Sequence, residues 1–496
     1  MKNKLLILFL VFSFSGYFLY SQTAPDTLWT KHFGGIHEDS STCIRETSDS
    51  SLIIIGTTDQ TGNGMNDIWL IKTDKNGTVL WDKTFGGDQN DFSIMGQQTT
   101  DGGFIIAGTT ESFGNGMRDF WLIKTDADGN EEWNQTYGTT ENDRTQYVEQ
   151  TSDGGYIITG GTGNFENNNQ DAWLIKTDEN GNTEWQQTYG GNGNEKTYTV
   201  HQETDGNYIL AGLTSSYGNG MYDAYLIKTD SLGNEIWSKT FGGPDIENAY
   251  SMQILPGEGY ILAGSTKSFG AGDFDVWLIK TDEQGNEIWS HVYGTEVIDY
   301  CYSLDITSDG DFILGGLTNA TVNGDVDVLA MKISDSGDEI WTKNVGLAGD
   351  EPSFFVEQTK DGGYVLAGYT NSFGNGDNDV YIVKLTPDGT TDAEDIIDQR
   401  SGYNLWNYPN PFNPSSTIRF CSALCKHYER FEIEIFNLKG QKVKTFSNLP
   451  FIQSHNQQIV WNGTDQSNKP VSSGIYYAVL IQNEITLASN KMILMK

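Results

Sequence analysis

The chain has 496 residues, with 67 Asp or Glu against 30 Lys or Arg, which gives a formal net charge of −37. Such an acidic surface repels nucleic acid and anionic membranes, so the charge argues against both as partners. Hydrophobic residues make up 37% of the chain and aromatic residues 12%, which excludes a disordered acidic polymer.

Residues 1–21 have the pattern of a secretory signal peptide. Lys2 and Lys4 precede the apolar stretch 5–19, and Ser21 is a small residue before a predicted cleavage site. A membrane anchor is the alternative, but the polar sequence that follows has no stop-transfer flank. No other stretch is apolar enough to span a bilayer. The sequence therefore predicts an exported protein.

A period of 52 residues governs positions 22–390. The cluster Trp69–Asp74 (WLIKTD) recurs in full or in altered form at 121, 173, 225, 277, 329 and 381. Each repeat has four β-forming runs separated by Gly-containing turns, at 91–99, 104–110, 119–126 and 131–137 in the second repeat. Four antiparallel strands per repeat predict the blade of a β-propeller.

The two ends of the repeat region complement each other. Residues 27–33 form a lone fourth strand before the first complete repeat, and the last repeat has no fourth strand after 379–386. We predict that the N-terminal strand completes the last of seven blades, because this arrangement removes two free sheet edges. A parallel β-solenoid is the alternative, but it does not require matching termini.

Two sets of acidic residues repeat around the predicted ring, on the same face. The first set opens the third strands and comprises Asp67, Asp119, Asp171, Asp223, Asp275, Asp327 and Asp379. The second set opens the first strands and comprises Asp39, Asp91, Asp143, Glu195, Glu247, Asp299 and Glu351. These carboxylates either form a rim that binds calcium or a cationic ligand, or cap the Gly-rich turn that follows each of them. Seven equivalent copies favour capping.

Two further acidic segments resemble fragments of calcium-binding loops. They are residues 126–130 (DADGN) and 178–182 (DENGN). A calcium loop of the EF-hand type needs Gly at its sixth position and Glu at its twelfth. Here Gly is fourth and a Trp-containing strand follows directly, so these segments are predicted to be hairpin turns.

Enzyme signatures are weak in this sequence. His32, His37, His201 and His291 share no position in the repeat, whereas acid–base or metal catalysis needs groups that converge. The clearest break in the pattern is the amide-rich segment 163–170, which is either a sugar-binding loop or a divergent surface loop. No catalytic residue and no cofactor are predicted.

The cysteines give little guidance about the cellular compartment. Cys43 and Cys301 lie in repeats that are not neighbours in a seven-membered ring, so both are predicted to be buried free thiols. Cys421 and Cys425 are close enough in sequence to form a disulfide.

The last 95 residues differ in charge and in motif from the repeats. Residues 402–496 hold nine Lys or Arg and five Asp or Glu, and they contain the segments 408–414 (YPNPFNP), 461–465 (WNGTD) and 473–477 (SGIYY). This region resembles the type A C-terminal sorting domain of the type IX secretion system, an immunoglobulin-like β-sandwich. The resemblance implies export across the inner membrane by the signal peptide and across the outer membrane by the tail. Residues 391–401 are then an acidic linker.

The repeats also resemble a family of secreted bacterial propellers and, more distantly, quinoprotein propellers, although no residues match a quinone site. The sequence thus predicts an all-β protein, with a seven-bladed β-propeller at 22–390 and a small β-sandwich at 402–496. We predict a monomeric, non-enzymatic binding module on the outer surface of, or released from, a Gram-negative cell. Polysaccharide or a surface protein is the predicted ligand. A secreted polysaccharide-degrading enzyme and a structural surface-layer component are the alternatives.

Overall fold

The computed structural model describes residues 24–495 except for 60–63, 165–166, 168, 321–324, 347–348, 373, 375–376, 389–402, 409–412, 423–429, 438, 440, 451–456 and 483–484. The predicted signal peptide, the linker 391–401 and Cys425 therefore lie outside the described residues. Two compact units are present, residues 1–390 and 391–496. Among the described residues, no helix has the length and apolarity needed to cross a bilayer.

The described part of the first unit forms seven four-stranded antiparallel sheets, one for each 52-residue repeat. The first strands are Asp39–Glu46 (β2), Asp91–Gln98 (β6), Arg144–Gln150 (β10), Glu195–Gln202 (β14), Glu247–Leu255 (β18), Asp299–Ile306 (β22) and Ser353–Gln358 (β26). The second strands are Leu52–Thr58 (β3), Phe104–Thr110 (β7), Tyr156–Asn164 (β11), Tyr208–Thr214 (β15), Gly259–Thr266 (β19), Phe312–Thr318 (β23) and Tyr364–Thr370 (β27). The third strands are Asp67–Thr73 (β4), Asp119–Thr125 (β8), Asn169–Thr177 (β12), Asp223–Thr229 (β16), Asp275–Thr281 (β20), Asp327–Ile333 (β24) and Asp379–Leu385 (β28). The fourth strands are Val79–Phe85 (β5), Glu131–Tyr137 (β9), Thr183–Tyr189 (β13), Glu235–Phe241 (β17), Glu287–Tyr293 (β21), Glu339–Val345 (β25) and Thr27–Phe33 (β1).

The N-terminal strand lies in the last sheet. β1 runs antiparallel to β28, with Thr30 opposite Val383 and Phe33 opposite Val380. The first and last sheets also share a hydrophobic cluster, which contains Ile44 from one and Val365 from the other. Each repeat is thus a blade of a propeller, and the fourth strand of the last blade comes from the start of the chain.

The burial of each strand depends on whether neighbouring blades cover it. Every residue of β7 is buried, because neighbouring blades cover both faces of a second strand. Residues of the outermost strand β9 are exposed or half-buried, and this strand carries the polar residues of the repeat. The continuous apolar run in one strand and the mixed composition of the other therefore reflect their distance from the solvent.

The repeated Trp of the fourth strand fills the wedge between two blades. Gly129 occupies the turn of the second blade with φ of 75°, a conformation that favours glycine. A Cβ atom at this position would lie 2.6 Å from the Trp81 ring of the first blade. The turn glycine therefore packs directly against the Trp ring of the preceding blade.

The Lys of each WLIKTD cluster has a structural role that the sequence pattern does not reveal. Lys124 is 3% exposed. Its Nζ lies 2.9 Å from both Asp101 and Glu132 and donates to the carbonyl of Thr125 at 2.8 Å. A buried cation needs such partners, since removing one partner of a buried pair costs about 3–5 kcal/mol. Part of the acidic excess of the chain thus neutralises cations inside the blades.

The C-terminal unit consists of two antiparallel sheets around one core. One sheet contains Tyr403–Tyr408 (β29), Ser416–Ser422 (β30) and Gln457–Trp461 (β33), and the other contains Lys442–Pro450 (β32), Arg430–Asn437 (β31), Gly474–Gln482 (β34) and Ile485–Leu494 (β35). The core includes Trp461 and Tyr476, whose rings meet edge to face at 5.0 Å. Two of the sequence motifs therefore supply the central core contact of a β-sandwich, and its immunoglobulin-like topology stays a prediction.

Cys43 and Cys301 are buried free thiols, as predicted. Burial raises the pKa of Cys43 to about 11 and that of Cys301 to about 12, so both stay protonated and unreactive. The predicted pairing of Cys421 with Cys425 falls partly outside the described residues.

The central channel as a candidate binding site

Each described first strand contains a β-bulge at the same place. The register against the second strand shifts between Thr197 and Thr199, for example, so that Tyr198 is the extra residue. The same shift occurs in the other six blades. A bulge takes one residue out of the ladder and redirects its side chain. Seven equivalent side chains are redirected in this way, namely Thr42, Ile94, Gln146, Tyr198, Tyr250, Tyr302 and Phe354.

A glycine of the second strand makes the bulge possible. A Cβ atom on Gly212 would lie 1.9 Å from the carbonyl oxygen of Lys196, which the bulge pushes toward the second strand. Gly264 and Gly316 face the first-strand carbonyls of their own blades at 1.7 and 1.8 Å in the same sense. Glycine inside a strand marks such a close backbone approach. The Gly in each second strand is thus the sequence signature of the bulge.

The seven bulge residues line one cavity of about 290 Å³ to which every blade contributes. This cavity is the central channel of the propeller. Its lining is unequal on the two sides. Four consecutive blades supply the aromatic residues Tyr198, Tyr250, Tyr302 and Phe354, which we call the aromatic arc, and the other three supply Thr42, Ile94 and Gln146.

The rings of the aromatic arc are in contact with one another. Centroid distances are 4.8 Å from Tyr198 to Tyr250, 5.2 Å from Tyr250 to Tyr302 and 5.4 Å from Tyr302 to Phe354. All four side chains are half-buried. Burial raises the pKa of Tyr302 to about 12 and also raises those of Tyr198 and Tyr250. The phenols therefore keep their protons and can donate hydrogen bonds into the channel.

A row of rings connects the arc with the loops at the rim. The Phe274 ring stacks on Tyr300 at 4.8 Å, and Tyr300 stacks on Tyr302 at 5.7 Å with an interplanar angle of 5°. Phe274 lies in the loop before β20 and is half-buried. An apolar, aromatic surface thus runs from the rim into the channel along the sixth blade.

Basic side chains surround the mouth of the channel at its rim end. Arg144 and Lys196 lie near the start of the first strands of the third and fourth blades, two residues before the bulge. They line a cavity of about 370 Å³ that shares Thr42, Ile94 and Gln146 with the channel. The Nζ of Lys196 lies 5.0 Å from the centroid of the Tyr198 ring. We call Arg144 and Lys196 the basic mouth.

Beyond the bulges, on the side away from the rim, the first strands carry paired charges. Arg45 binds Glu357 at 3.0 Å across the junction of the first and last blades. His201 Nδ1 lies 2.5 Å from Glu149, and its Nε2 lies 2.9 Å from the carbonyl of Met252. The His201 ring also lies 5.4 Å from the ring of Tyr147, which lines the channel. These contacts join neighbouring blades, and they bind Glu149 and Glu357 to partners within the protein.

Several of the repeated acids of the rim make the hydrogen bonds of loop caps. Asp119 Oδ2 accepts the N–H groups of Asn115 at 2.7 Å and Gly116 at 3.1 Å, and Asp223 and Asp275 make the same pair of bonds. The loop capped in this way precedes the Asp in the chain, which corrects the expectation that these acids cap the turn that follows. Glu247 likewise accepts the N–H of Gly243 at 2.7 Å and that of Ser268 at 2.9 Å.

The two acidic sets meet in pairs at the blade junctions. Asp327, from the first set, is buried next to Glu351 from the second, and burial followed by Glu351 and other acids raises the pKa of Asp327 to about 6. Burial followed by the neighbouring Glu195 also raises the pKa of Asp171. Among the described residues, no group of three or more His, Cys, Asp or Glu is arranged to hold a metal ion. Calcium binding by these residues stays a prediction.

The segments that resemble calcium-loop fragments form hairpin turns. Asp126 Oδ1 accepts the N–H groups of Asp128 at 2.9 Å and Asn130 at 2.8 Å, and hydrogen bonds from Asn130 lower the pKa of Asp126. Asp178 does the same in the next blade. The amide-rich segment 163–170 lengthens the hairpin between β11 and β12, and residues 165, 166 and 168 of it lie outside the described part.

Asp119→Asn distinguishes capping from cation binding at the rim. We expect the free energy of unfolding to fall by roughly 0.5–2 kcal/mol, as for a lost helix cap, because Oδ2 satisfies two backbone N–H groups. Thermal melts with millimolar calcium and with a chelator should then give similar melting temperatures for the parent. Asp82→Asn, in an exposed part of the fourth strand, is the control. A large calcium-dependent stabilisation that disappears in Asp119→Asn contradicts capping.

Comparison with known proteins identifies the C-terminal unit. Residues 407–495 match the family model of the secretion system C-terminal sorting domain. The tail is therefore a sorting domain of the type IX secretion system, and the protein is secreted or displayed on the surface of a Gram-negative cell. No curated protein sequence matches the chain.

Several solved structures are similar to the chain at low identity. PorZ, a surface component of the type IX secretion system of Porphyromonas gingivalis, is 12% identical with a TM-score of 0.40 over 94% of this chain and 60% of its own. A fungal alcohol oxidase of the AA5 family is 9% identical with a TM-score of 0.48 over 95% of this chain and 100% of its own. The β-propeller domain of the Trilobed protease from Pyrococcus furiosus is 10% identical with a TM-score of 0.42 over 71% of this chain and 94% of its own. These likenesses carry no inference about activity.

Proposed function

We propose that this exported propeller is a carbohydrate-binding module whose ligand enters the central channel and packs on the aromatic arc. The observation that carries the proposal is the run of four aromatic bulge residues on consecutive blades. A blade needs only a bulge at this position, since Thr42 and Gln146 occupy it elsewhere. The aromatic residues are therefore not required by the fold and are available for recognition.

The chemistry of the arc suits a sugar ring. One face of a pyranose presents C–H groups that pack on an aromatic ring, while its hydroxyl groups need hydrogen-bond partners. The arc supplies rings together with the phenol groups of Tyr198, Tyr250 and Tyr302, and Gln146 supplies an amide on the opposite wall. Ligand sites commonly combine a mainly apolar lining with a few polar groups that fix orientation.

The aromatic row at the rim extends this surface beyond the channel. Phe274, Tyr300 and Tyr302 form a continuous stack, so more than one sugar unit of a chain can be in contact with rings. A sorting domain that delivers the propeller to the cell surface places the channel where extracellular glycans are present. Polysaccharide is therefore the ligand class that fits both the channel and the location.

Three carboxylates of the first strands, Glu149, Asp305 and Glu357, do not favour the alternative of a polysaccharide hydrolase. Glycoside hydrolysis uses two carboxyl groups that face the scissile bond. Glu149 accepts the N–H of Gln202 at 3.0 Å besides its contact with His201, and Asp305 accepts the N–H of Gln358 at 3.0 Å. Glu357 accepts the N–H of Glu46 at 2.9 Å as well as binding Arg45. These acids hold the inner strands together.

Tyr250→Ala tests the proposal directly. The mature chain, residues 22–496, is screened against a panel of soluble oligosaccharides, and the tightest binder is titrated calorimetrically. We expect Tyr250→Ala to weaken binding at least tenfold, which corresponds to about 1.4 kcal/mol. Tyr217→Ala, which removes an exposed ring at the rim, is the matched control and should bind like the parent. The proposal fails if no oligosaccharide binds, or if Tyr250→Ala binds as tightly as the parent.

A further inference from the structure

We infer that a cavity between the first and last blades binds a methylated ammonium group, such as that of choline, beside the Trp69 ring and the Asp379 carboxylate. This cavity, which we call the seam cavity, has a volume of about 360 Å³. Its walls include Phe33 of β1, Trp69 of β4, Val79 of β5 and Asp379 of β28. The seam cavity shares no lining residue with the central channel, so the inference does not depend on the proposed carbohydrate site.

Trp69 is more accessible than the equivalent aromatic residues of other blades. In the second blade, Phe113 of the preceding loop packs on Trp121 at a centroid distance of 5.2 Å, and the fourth and fifth blades have the same kind of contact. The sequence has Thr61 at the position that corresponds to Phe113 in the first blade. Trp69 is half-buried, whereas Trp121 is 3% exposed. The first blade therefore presents part of an aromatic ring to the seam cavity.

A carboxylate lies at the edge of the Trp69 ring. Trp69 Nε1 donates to Asp82 Oδ2 at 3.0 Å, and Asp82 also lines the seam cavity. In the second blade, Trp121 donates to the neutral Asn134 at 3.2 Å, so the indole does not need an acid as its partner. The sequence has Thr, Asn, Gln or Ser at this position in the other six blades. The first blade thus adds a negative charge next to its accessible ring.

Asp379 places a second carboxylate in the wall of the seam cavity. Its side chain is 1% exposed, and among the described residues no group donates a hydrogen bond to either of its oxygens. In the described part of the chain, Asp379 is the one carboxylate with both oxygens buried in this way. A buried negative charge is costly unless a cation or hydrogen-bond donors compensate it. A cation in the seam cavity would supply that compensation.

The combination of an aromatic face with carboxylates suits an ammonium group. The ring attracts a cation through its quadrupole, and the carboxylates attract it through their charge. Phe33 and Val79 add apolar walls. Such walls suit methyl groups better than a primary ammonium, whose three N–H donors each need an acceptor. The net charge of −37 also concentrates cations around the protein. A methylated ammonium is therefore the ligand class that fits the seam cavity.

Paired ligands test the inference in the mature chain, residues 22–496. The probes are choline and its neutral isostere, in which a tert-butyl group replaces the trimethylammonium group. We expect choline to bind at least tenfold more tightly than the isostere in calorimetric titrations, and this ratio to fall toward one in Asp379→Asn. Trp69→Leu should weaken choline binding at least tenfold. The sixth blade has Leu329 at this position, so the fold accommodates leucine there.

Asp119→Asn is the matched control, because it changes the equivalent position of the second blade, outside the seam cavity. It should bind choline like the parent, although its melting temperature should fall with the loss of two loop hydrogen bonds. Asp379→Asn should melt at or above the temperature of the parent without ligand, because it removes an uncompensated buried charge. Thermal melts of all variants therefore separate an effect on binding from an effect on folding.

Three results would overturn the inference. They are failure of choline to bind, equal binding of choline and its isostere, and unchanged choline affinity in both Trp69→Leu and Asp379→Asn. Where choline binds as expected, sedimentation with phosphatidylcholine vesicles identifies the source of the group. Sedimentation that free choline prevents indicates a lipid headgroup, and its absence indicates a free solute.

Discussion

Deletion of residues 22–34 is expected to cause aggregation or the loss of cooperative unfolding. The deletion removes β1, which leaves the edge of β28 without its hydrogen-bonded partner. It also removes Trp29 and Phe33, which pack against the cluster between the first and last blades. We expect the free energy of unfolding to fall by more than about 4 kcal/mol. Such a loss is exceptional for a single substitution, but this deletion removes a whole strand. Size-exclusion chromatography and a thermal melt are the measurements.

Deletion of residues 22–25 is the matched control. It retains Asp26, whose N–H donates to Thr386 Oγ1 at 2.9 Å and whose carbonyl accepts the N–H of Thr386 at 2.9 Å. This variant should be monomeric and should melt close to the parent. If the longer deletion also stays monomeric and melts like the parent, pairing of the N-terminal strand does not stabilise the propeller.

Removal of residues 402–496 should abolish appearance of the protein outside the cell. The sorting domain directs passage across the outer membrane, so the truncated chain should be retained in the periplasm of a host with a type IX system. The propeller should still fold, because the two units have separate hydrophobic cores. Immunoblots of periplasmic and extracellular fractions measure the distribution, and a thermal melt of the retained protein measures folding.

A point variant tests whether export requires a folded sorting domain or only the presence of the tail sequence. Trp461 is fully buried in the core of the tail, whereas Val460 next to it is 59% exposed. Trp461→Ala should reduce export strongly, since loss of a buried aromatic ring costs about 3–5 kcal/mol. Val460→Ala should be exported normally. Extracellular accumulation of the truncated chain at the level of the parent contradicts a sorting role for the tail.

The architecture could be predicted from the sequence because the repeat period, the strand-forming runs and the turn glycines all indicate the same fold. The predicted strands of the second blade, 91–99, 104–110, 119–126 and 131–137, differ from the observed ones by at most one residue. The placement of residues 27–33 in the last sheet depends only on counting strands, and the structure shows that pairing. Turn glycines such as Gly129 were identifiable because a hairpin needs positive φ at one fixed position.

The candidate site could not be predicted in the same way. Its residues occupy the bulge of each first strand, where the sequence varies between blades and follows no repeated pattern. The bulge gives the first strand an irregular alternation, so Tyr198, Tyr250 and Tyr302 do not stand out as a shared face. Two observations could have revealed them. A Gly recurs in the middle of every second strand, which indicates a bulge opposite it. The residue before the bulge is small in every blade, whereas the bulge residue itself ranges from Thr42 to Tyr250.

The role of the repeated lysines was missed for a different reason. A lysine in a β-strand ordinarily extends its charge to the solvent, whereas Lys332 is fully buried and bound to Asp309 at 2.6 Å. The partner belongs to the turn between the first and second strands of the same blade. Such pairing depends on how strands curve together, which the period of the sequence does not reveal.

A crystal structure of the mature protein with its tightest-binding oligosaccharide tests most directly whether the sugar binds in the channel. We expect electron density for a sugar ring inside the channel, in contact with Tyr250 and its neighbours in the aromatic arc. Density only at the outer loops, such as segment 163–170, or an empty channel at saturating ligand, would contradict carbohydrate binding by the aromatic arc.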